Sequence, residues 1–363
     1  MRVVIIGAGI FGCCAAYALA RAGAHALLIE RDPIGAHASS RNPGNLNPVL
    51  GSVPALVPFA LESFRLHQEL AAAIGPGTPP YALEPVKRVL VAFDDEDEAE
   101  LDSVARAFAG LPSFATSRLS AASVRAIEPR LTPGIRCALL IEGNYSFDSA
   151  AFHLAISAAA RDAGADLVQA SATGIATRGE AVTHVDTVAG RHRCDALVLA
   201  TGPWVAETRE WLGLHLPVAP VKGEMLRLRL RGRALSHDFT HGLISLYRRG
   251  EEEVWLGVTR EEVGFDESPS EAGRRALLDG AARILPEIRD ADVIEHLAAL
   301  RPLTRSALPI VGRAPGWNNV YVANGGGIKG MLLSAGVGVA IRDLILSGTT
   351  TLPLPADVGQ GVG

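Results

Sequence analysis

The sequence predicts an α/β fold in which a domain built on a parallel sheet is assembled from discontinuous segments. A second domain, with a mixed and largely antiparallel β-sheet, is inserted into it. Continuous apolar runs typical of buried parallel strands occur near the beginning, middle and end of the 363 residues, at 2–6, 195–200 and 319–323. A loop that contains glycine follows each run. Segments of alternating polarity between residues 218 and 259 are typical of antiparallel strands with one solvated face.

Hydrophobic periodicity and flanking turn residues predict the remaining elements. A helix rich in Ala and Leu at 10–21 ends before Gly23 and leads to a second apolar strand at 26–29. Further helices are expected at 56–74, from an acidic first turn at 94–100, and at 150–163, 274–285 and 331–346; further strands are expected at 166–169 and in a meander at 181–195.

Composition limits the class of protein. Hydrophobic residues make up 48% of the chain and charged residues 20%, which allows a sizeable core, and the length suggests about two domains. These values exclude a disordered or collagen-like chain. The formal net charge of −5 offers no excess positive charge to hold a phosphate backbone, which argues against a nucleic-acid partner.

Cysteines and histidines form no disulfide or metal pattern. No CxxC spacing occurs, and small buried thiols in a reducing compartment account for Cys13, Cys14, Cys137 and Cys194. His237 and His241 have i,i+4 spacing without an evident third ligand, so no metal is expected.

The same sequence predicts no transmembrane segment and a cytoplasmic location. We find no apolar run of 18 residues, and Met1 and Arg2 lead directly into the first strand. The oligomeric state stays open.

The first strand is followed at once by GAGIFG, a GxGxxG pattern. Gly7 would permit a tight turn off the strand, Gly9 the close approach of a pyrophosphate, and Gly12 the close packing of helix on strand. The amides of Ile10 and Phe11 would face the phosphates at the helix N-terminus. This context predicts a Rossmann-like dinucleotide-binding turn; the alternative is a glycine-rich turn in another α/β protein.

An acidic residue and two further glycine loops extend this prediction. Glu30 ends the second strand, where a carboxylate can hold ribose hydroxyls and disfavours NADP. The loop of Ala200, Thr201 and Gly202 follows a strand, so it either passes near the dinucleotide or only ends the strand. The amides of the loop 325–330 can bind an anion or ring oxygens. These residues alone do not choose between NAD and FAD.

The motifs taken together resemble the D-amino-acid-oxidase-like superfamily of flavoproteins, in particular glycine oxidases and bacterial D-amino-acid dehydrogenases. The resemblance covers nearly the whole chain and depends on the order and spacing of several motifs. They are VVIIGAGIFG at 3–12, SSRNPGN at 39–45, LVLATGPW at 197–204, PVKGE at 220–224, LRP at 300–302, LPIVG at 308–312 and NVYVANGGGIKGMLL at 319–333.

This resemblance implies an FAD-binding domain at 1–48, 146–217 and 300–363, and a substrate-binding domain at 49–145 and 218–299. It implies non-covalent FAD, because the last glycine loop contains no cysteine. The ADP half would be held by Ile10, Phe11, Glu30 and Arg31, with the backbone of Thr173 at the adenine. The flavin side would be lined by Ser39, Ser40, Pro43, Gly44 and Asn45, and the ring would be contacted by Gly326, Gly327, Ile328, Lys329, Gly330, Met331 and Leu332.

Arg301, just before Pro302, is the candidate for the substrate. In the similar enzymes an arginine at this place forms a two-pronged ion pair with the substrate carboxylate, and a guanidinium fork matches that group and stays charged when desolvated. The alternative is a structural arginine.

Departures from the glycine oxidase pattern put glycine itself in doubt as the substrate. Ile328 occupies the place of a second arginine, with Lys329 beside it, and Leu243 occupies the place of a pocket tyrosine, although Tyr247 lies further along. Arg260 replaces an apolar pocket residue, and Ser306 replaces an acid. Lys329 and Arg260 are therefore possible substrate contacts. The alternatives are a solvent-facing loop lysine and a strand-end arginine paired with Glu261 or Glu262.

The resemblance implies oxidation of a small amino acid or N-substituted amino acid by hydride transfer to flavin N5. The imine that results would hydrolyse to a keto acid or aldehyde, and oxygen or a quinone would reoxidise the flavin. Such catalysis rests on positioning and needs no protein base. The alternatives are a 2-hydroxy-acid oxidoreductase and a flavin-binding subunit without turnover.

Overall fold

The computed structural model describes residues 1–77 and 79–355. Its strands are β1 (Arg2–Ile6), β2 (His25–Glu30), β3 (Asn45–Leu46), β4 (Glu84–Ala92), β5 (Ala115–Ser120), β6 (Cys137–Ser146), β7 (Asp166–Gln169), β8 (Ala172–Arg178), β9 (Ala181–Thr187), β10 (Gly190–Arg193), β11 (Ala196–Leu199), β12 (Val218–Arg229), β13 (Asp238–His241), β14 (Ile244–Arg249), β15 (Glu253–Gly257), β16 (Asp292–Thr304), β17 (Ile310–Arg313) and β18 (Val320–Asn324). Its α-helices are α1 (Ile10–Arg21), α2 (Val57–Ile74), α3 (Asp95–Phe108), α4 (Ala121–Ile127), α5 (Ser149–Asp162), α6 (Arg209–Leu212), α7 (Glu271–Ala282) and α8 (Gly330–Ser347).

The chain forms two compact units, each assembled from separate segments. The first consists of Met1–Leu83, Phe147–Val221 and the described residues from Leu300 onward, and the second of Glu84–Ser146 and Lys222–Ala299. Most of these limits lie within four residues of the predicted domain boundaries.

The segment 49–83 is an exception, because we placed it in the inserted domain and it lies in the first unit. Its helix α2 packs on α8. The Ser63 hydroxyl donates to the Leu332 carbonyl at 2.7 Å, and His67 Nε2 bonds the Met331 carbonyl at 2.8 Å. These partners are more than 260 residues apart in sequence, so local patterning carried no sign of them.

The first unit contains the predicted parallel sheet, with strand order β17-β18-β11-β1-β2-β7. β1 is parallel to β2 and to β11, β11 to β18, and β2 to β7, whereas β17 is antiparallel to β18. Because the parallel strands share one direction, the loops after β1, β11 and β18 lie at the same edge of the sheet. The order reverses at β1, which makes this edge a topological switch point. A small antiparallel sheet, β8-β9-β10, belongs to the same unit.

The second unit contains a mixed and largely antiparallel sheet, as predicted. Its strands follow the order β16-β12-β15-β14-β13-β4-β6. The β13–β4 pair is parallel, whereas β12–β15, β14–β15, β13–β14 and β4–β6 are antiparallel. One face packs its apolar side chains, among them Leu226, Phe239 and Leu256, against apolar residues of α4 and α7.

Helix α8 corrects the expectation that no long apolar run occurs. Together with the preceding turn it spans Gly327–Ser347, which is long and apolar enough to cross a membrane by length and composition, with a mean hydropathy of 1.5. A buried core helix also has this length and composition, and 56% of the apolar stretch of α8 is buried. A Cβ on Gly338 would lie 2.6 Å from the Cys14 carbonyl oxygen, so α8 packs closely against α1. These contacts are those of a core helix.

Candidate functional site

Two glycines of the GxGxxG turn are required by close backbone packing at the switch point. Gly7 has a φ of +102°, and a Cβ on it would lie 2.4 Å from the Ala200 carbonyl oxygen. A Cβ on Gly12 would lie 1.9 Å from the Gly7 carbonyl oxygen. The first turn of α1 is therefore pressed against the ends of β1 and β11.

Gly9 has a different environment, because among the described residues a Cβ there would meet only the Ser39 hydroxyl, at 3.3 Å. As the N-cap of α1 it offers no side chain, and the first turn contains no acidic residue. The helix dipole and the first-turn amides favour an anion at such an end. The expected contact of the Ile10 amide needs correction, because this N–H donates to Ser39 Oγ at 2.9 Å.

Glu30 is held at the end of β2 by backbone amides. One carboxylate oxygen accepts from the Ala8 N–H at 2.8 Å and the other from the Asp32 N–H at 3.0 Å. Each oxygen keeps a lone pair that can accept from a ribose hydroxyl. The Glu30 carbonyl accepts from the Ala170 N–H, which brings the following chain alongside. Thr173 lies there, exposed, at a β-bulge between β8 and β9.

Arg31 is directed towards protein carboxylates rather than left open for an ADP group. Its guanidinium bonds Asp32 at 3.0 Å and Glu207 at 3.0 Å. It also lies over the ring of Trp204, 4.8 Å from the centroid. The contact expected from the sequence would require this arrangement to open.

The loop that carries the SSRNPGN motif is braced by its own side chains. Asn42 donates to the carbonyls of Ala38 and Ser39, and its side-chain oxygen accepts from the Gly44 N–H. Gly44 has a φ of +59°, and a Cβ on it would lie 2.0 Å from the Phe147 carbonyl oxygen. Pro43 precedes this glycine and Asn45 begins β3. Ser40 bonds His153, a contact that the sequence did not predict.

The loop after β11 leaves polar groups and space at the same edge of the sheet. The Ala200 N–H donates to the Ile6 carbonyl, which aligns this loop with the glycine turn. Thr201 Oγ1 is buried and has no hydrogen-bond partner in the described part of the chain. Gly202 has a φ of +56°, and a Cβ there would meet no atom of the described residues within 4 Å. A ligand oxygen or nitrogen would give Thr201 the partner that it lacks.

The loop after β18 packs tightly against the glycine turn. A Cβ on Gly326 would lie 2.8 Å from Gly330 Cα and 2.9 Å from the Phe11 ring. The next residues lead into α8, whose Met331 and Leu332 carbonyls accept bonds from α2. Ile328 is 62% exposed, and its place is that of the second arginine of glycine oxidases.

Lys329 bonds two backbone carbonyls, a contact different from the expected one. Its ammonium donates to the Asn47 carbonyl at 2.8 Å and also to the Leu50 carbonyl. Both acceptors lie in the loop after β3, so Lys329 holds this loop to the start of α8. This arrangement differs from the solvent-facing lysine of the alternative, and a substrate contact of Lys329 stays a prediction.

Arg301 lies beside the last glycine loop. The sequence predicted a strand that ends at Leu300, whereas β16 continues to Thr304, and Arg301 is half-buried within it. A Cβ on Gly327 would lie 3.0 Å from Leu303 Cδ1, and one on Gly325 would lie 2.6 Å from Thr304 Cγ2. The strand that carries Arg301 therefore packs on the loop expected to contact the flavin.

The other possible substrate contacts belong to the second unit. Arg260 is exposed, and its neighbours Thr259 and Glu261 are bonded to Glu224 and Lys222. Glu261, one of the two glutamates expected as alternative partners of Arg260, faces Lys222 Nζ at 3.6 Å. Leu243 is exposed, whereas Tyr247 is buried in β14. These residues are not in the unit that contains Arg301 and Lys329.

Sequence analysis missed His153 and His67, two buried histidines of the first unit. His153 bonds the glycine turn, and His67 bonds the start of α8. The available signal was a histidine within an otherwise apolar helical pattern. Within the residues described, no group of three potential metal ligands occurs, and His241 bonds Asp97 at 3.1 Å.

The residues at the switch point fit FAD. The open face of Gly9, the uncapped N-terminus of α1 and the orphan Thr201 hydroxyl offer space and donors for a pyrophosphate and a ring system. Glu30 stands where a ribose would lie.

Comparisons with known proteins agree with this geometry. The family model for FAD dependent oxidoreductase matches residues 2–344. A glycine oxidase of Pseudomonas aeruginosa is 28% identical over 98% of this chain and 97% of its own length. The crystal structure of glycine oxidase from Geobacillus kaustophilus has a TM-score of 0.92 at 27% identity, covering 99% of this chain and 98% of that one. Iminodiacetate oxidase from Chelativorans sp. BNC1 has a TM-score of 0.87 at 26% identity, covering 96% of both chains.

The family match spans nearly the whole chain and confirms the predicted D-amino-acid-oxidase-like resemblance. It also decides between the dinucleotides that the glycine motifs left open. The chain belongs to the FAD-dependent oxidoreductase family, and it is an FAD-dependent enzyme of the glycine oxidase and amino-acid oxidase type.

Proposed function

We propose that the protein oxidises the C–N bond of a small amino acid or N-substituted amino acid to an imine, which hydrolyses to a keto acid or aldehyde. The position of Arg301 carries the proposal. This half-buried guanidinium lies on a strand whose next residues pack on the Gly325–Gly327 loop. A carboxylate bound by Arg301 would therefore place its Cα near the cofactor site.

The residues of the first unit would act by binding and orientation. The guanidinium of Arg301 would bind the substrate carboxylate through two parallel hydrogen bonds, which orient the molecule as well as hold it. When bound, FAD supplies the two-electron acceptor. The α1 N-terminus, Glu30 and Thr201 would hold the cofactor, and we assign no side chain as acid or base.

Similar proteins support an amine substrate that bears a carboxylate. One is a glycine oxidase and another an iminodiacetate oxidase. Glycine is a primary amine, and iminodiacetate is a secondary amine with two carboxylates. The loss of the second arginine position at Ile328 favours a substrate other than glycine. We propose the second unit as the substrate-binding domain; the electron acceptor, oxygen or a quinone, and a cytoplasmic location stay predictions.

A substrate panel tests the reaction class. Amino acids, N-alkylglycines, iminodiacetate and 2-hydroxy acids are mixed with the holoenzyme, and flavin bleaching is followed by stopped flow. Bleaching by amines and not by hydroxy acids supports the proposal. Bleaching by hydroxy acids alone identifies a 2-hydroxy-acid oxidoreductase, and no bleaching by any compound favours a flavin-binding subunit without turnover. Peroxide formation compared with dye reduction separates oxygen from a quinone as acceptor.

Arg301→Ala tests the residue that carries the proposal. We expect kcat/KM for a carboxylated amine to fall roughly 30- to several-thousand-fold, because the substrate charge is left unpaired. Arg301→Lys should recover only part of the loss, since it keeps the charge without the fork. Arg305→Ala is the matched control, because Arg305 is an exposed arginine four residues further along.

The decisive comparison uses the same amine with and without its carboxylate. Equal loss of activity on both in Arg301→Ala would make Arg301 structural and contradict the proposal. FAD content should stay near that of the wild type in every variant.

A further inference from the structure

His153 is a buried polar side chain with partners on two separate parts of the cofactor site. It lies on α5 and is 2% exposed. Its Nε2 lies 2.8 Å from the Ala8 carbonyl oxygen in the glycine turn, and its Nδ1 lies 2.9 Å from Ser40 Oγ in the SSRNPGN loop. The ring thus joins three segments that are far apart in sequence.

Hydrogen-bond chemistry decides the tautomer of this ring. A carbonyl oxygen only accepts, so Nε2 must carry the proton. Burial lowers the pKa of His153, against the smaller opposing effects of the hydrogen bond to the Ala8 carbonyl and the charge of Glu30, so the ring is neutral at pH 7. A neutral imidazole has one N–H, so Nδ1 accepts and the Ser40 hydroxyl must donate its proton to it.

The two peptide groups that flank Ala8 are both held as a result. The Ala8 carbonyl, in the peptide to Gly9, accepts from His153 and from the Cys13 thiol, at 3.2 Å, while the Ala8 N–H, in the peptide from Gly7, donates to Glu30. Both backbone polar groups of Ala8 are therefore bonded within the protein. Neither peptide group can rotate towards a ligand without breaking one of these bonds.

The hydroxyl groups of the adjacent residues Ser39 and Ser40 have different hydrogen-bonding roles. Ser39 Oγ accepts from the Ile10 N–H and keeps its own proton available for donation. Ser40 has already donated its proton to the imidazole, so it offers only lone pairs. A phosphate oxygen, which only accepts, can bond the Ser39 hydroxyl and not that of Ser40.

We propose that His153 is a positioning residue of the FAD site, which as the Nε2–H tautomer ties the glycine turn to the loop of Ser39 and Ser40. Ser40 acts through this ring, whereas Ser39 is the serine that donates to the cofactor. Removal of the ring frees both segments at once, and FAD is then bound by a site that is no longer held in its binding geometry.

Release of FAD from the purified holoenzyme on dilution, followed by flavin fluorescence, tests this role without any substrate. His153→Gln keeps a donor near the Ala8 carbonyl, His153→Asn keeps an acceptor near Ser40, and His153→Leu removes both. We expect Leu to speed release roughly tenfold or more, with Gln and Asn intermediate. Ser157→Ala is the matched control, because Ser157 is buried one turn further along α5 and its hydroxyl faces the Cys13 thiol.

Ser40→Ala in each background separates a positioning role from a general structural one. It should speed release in the wild type and in His153→Asn, and it should have no further effect in His153→Gln, where the bond is already lost. Three results would each overturn the proposal. Ser40→Ala could speed FAD release equally in all backgrounds, all His153 variants could release FAD at the wild-type rate, or Ser157→Ala could speed release as much as the His153 variants do. If His153→Leu does not fold, the Gln and Asn variants alone carry the comparison.

Discussion

The N-termini of α1 and α7 are built in opposite ways. At α7 the Ser270 side chain caps the Gly273 amide, and Glu224 accepts from both the N–H and the hydroxyl of Ser270. At α1 the N-cap is Gly9, which has no side chain to cap the helix; the neutral Ser39 hydroxyl accepts from the Ile10 N–H, and the first turn has no acidic residue. Both ends carry the positive pole of a helix dipole, but at α7 a carboxylate of the protein bonds the N-cap residue itself, whereas at α1 the Glu30 carboxylate bonds Ala8, one residue before the N-cap.

The surroundings of Glu224 complete this difference. Its carboxylate is fully buried, lies 3.3 Å from Lys222 Nζ and bonds His296 Nε2 at 2.6 Å. A Cβ on Gly273 would lie 2.4 Å from a Glu224 oxygen, so no room is left for a ligand. The helix end whose anion comes from the protein is a structural cross-link, and the helix end without one can receive the phosphates of FAD.

Substitution of Gly7 and Gly9 should give the largest effects and should separate packing from cofactor binding. Gly7→Ala places a Cβ against the Ala200 carbonyl at a φ of +102°, so we expect no stable folded protein. Gly9→Ala meets only the Ser39 hydroxyl, so the protein should fold but bind FAD weakly. Expression yield, thermal unfolding and flavin absorbance of both variants check this. A stable Gly7→Ala holoenzyme would contradict the packing described here.

Loss of the charge at the α7 N-terminus should reduce stability without loss of FAD. Burial alone would raise the pKa of Glu224, but hydrogen bonds from Ser270, His296 and Lys222 hold it below its usual value. Glu224→Gln leaves Lys222 without its buried partner, and we expect the free energy of unfolding to fall by about 3–5 kcal/mol in urea denaturation at pH 7.

The pH dependence gives a second check on Glu224. Because its pKa is lowered on folding, its contribution is present above pH 4.5 and is lost as the pH falls below that value. Glu261→Gln is the control, because this carboxylate is about one-third exposed and lies 3.6 Å from Lys222. An equal loss of stability in both variants would show that burial of Glu224 does not decide the effect.

The smallest effect concerns His67, the buried histidine of α2 that bonds the Met331 carbonyl at the start of α8. Burial lowers its pKa from 6.5 to about 4. The unfolded chain therefore binds a proton that the folded protein does not, and roughly 3 kcal/mol of stability is lost as the pH falls from 6.5 to 4. His67→Gln keeps a donor for the Met331 carbonyl and should flatten this part of the stability profile.

The elements predicted best from local sequence pattern are those whose formation depends on neighbouring residues in the sequence. Helix α1 has the predicted limits Ile10–Arg21, and α2 has its last residue as predicted at Ile74. The β-branched run of β1 and the glycines after it indicated the parallel sheet and the dinucleotide turn. The motif order indicated the family, which the comparison over residues 2–344 confirmed.

Where a residue's partner is distant in sequence, the structure shows contacts that the local pattern did not indicate. The segment 49–83 was placed in the wrong domain because α2 is held by carbonyls of α8. Lys329 is bonded to carbonyls of the loop after β3, although its place in the motif predicted a pocket residue. Arg31 bonds Glu207, 176 residues away, rather than standing open to the ADP half.

The sequence by itself determined the fold class, the family and the cofactor, because these depend on strand periodicity, glycine spacing and motif order along one chain. Only the tertiary structure decided which polar groups are already hydrogen-bonded within the protein and which can bind a ligand. In the sequence, His153 is one residue of an otherwise apolar helix. The structure shows that its two ring nitrogens bond Ala8 and Ser40. Hydrogen bonds are short and directional, so the partner of a side chain is set by where the backbone places it and not by its position in the sequence.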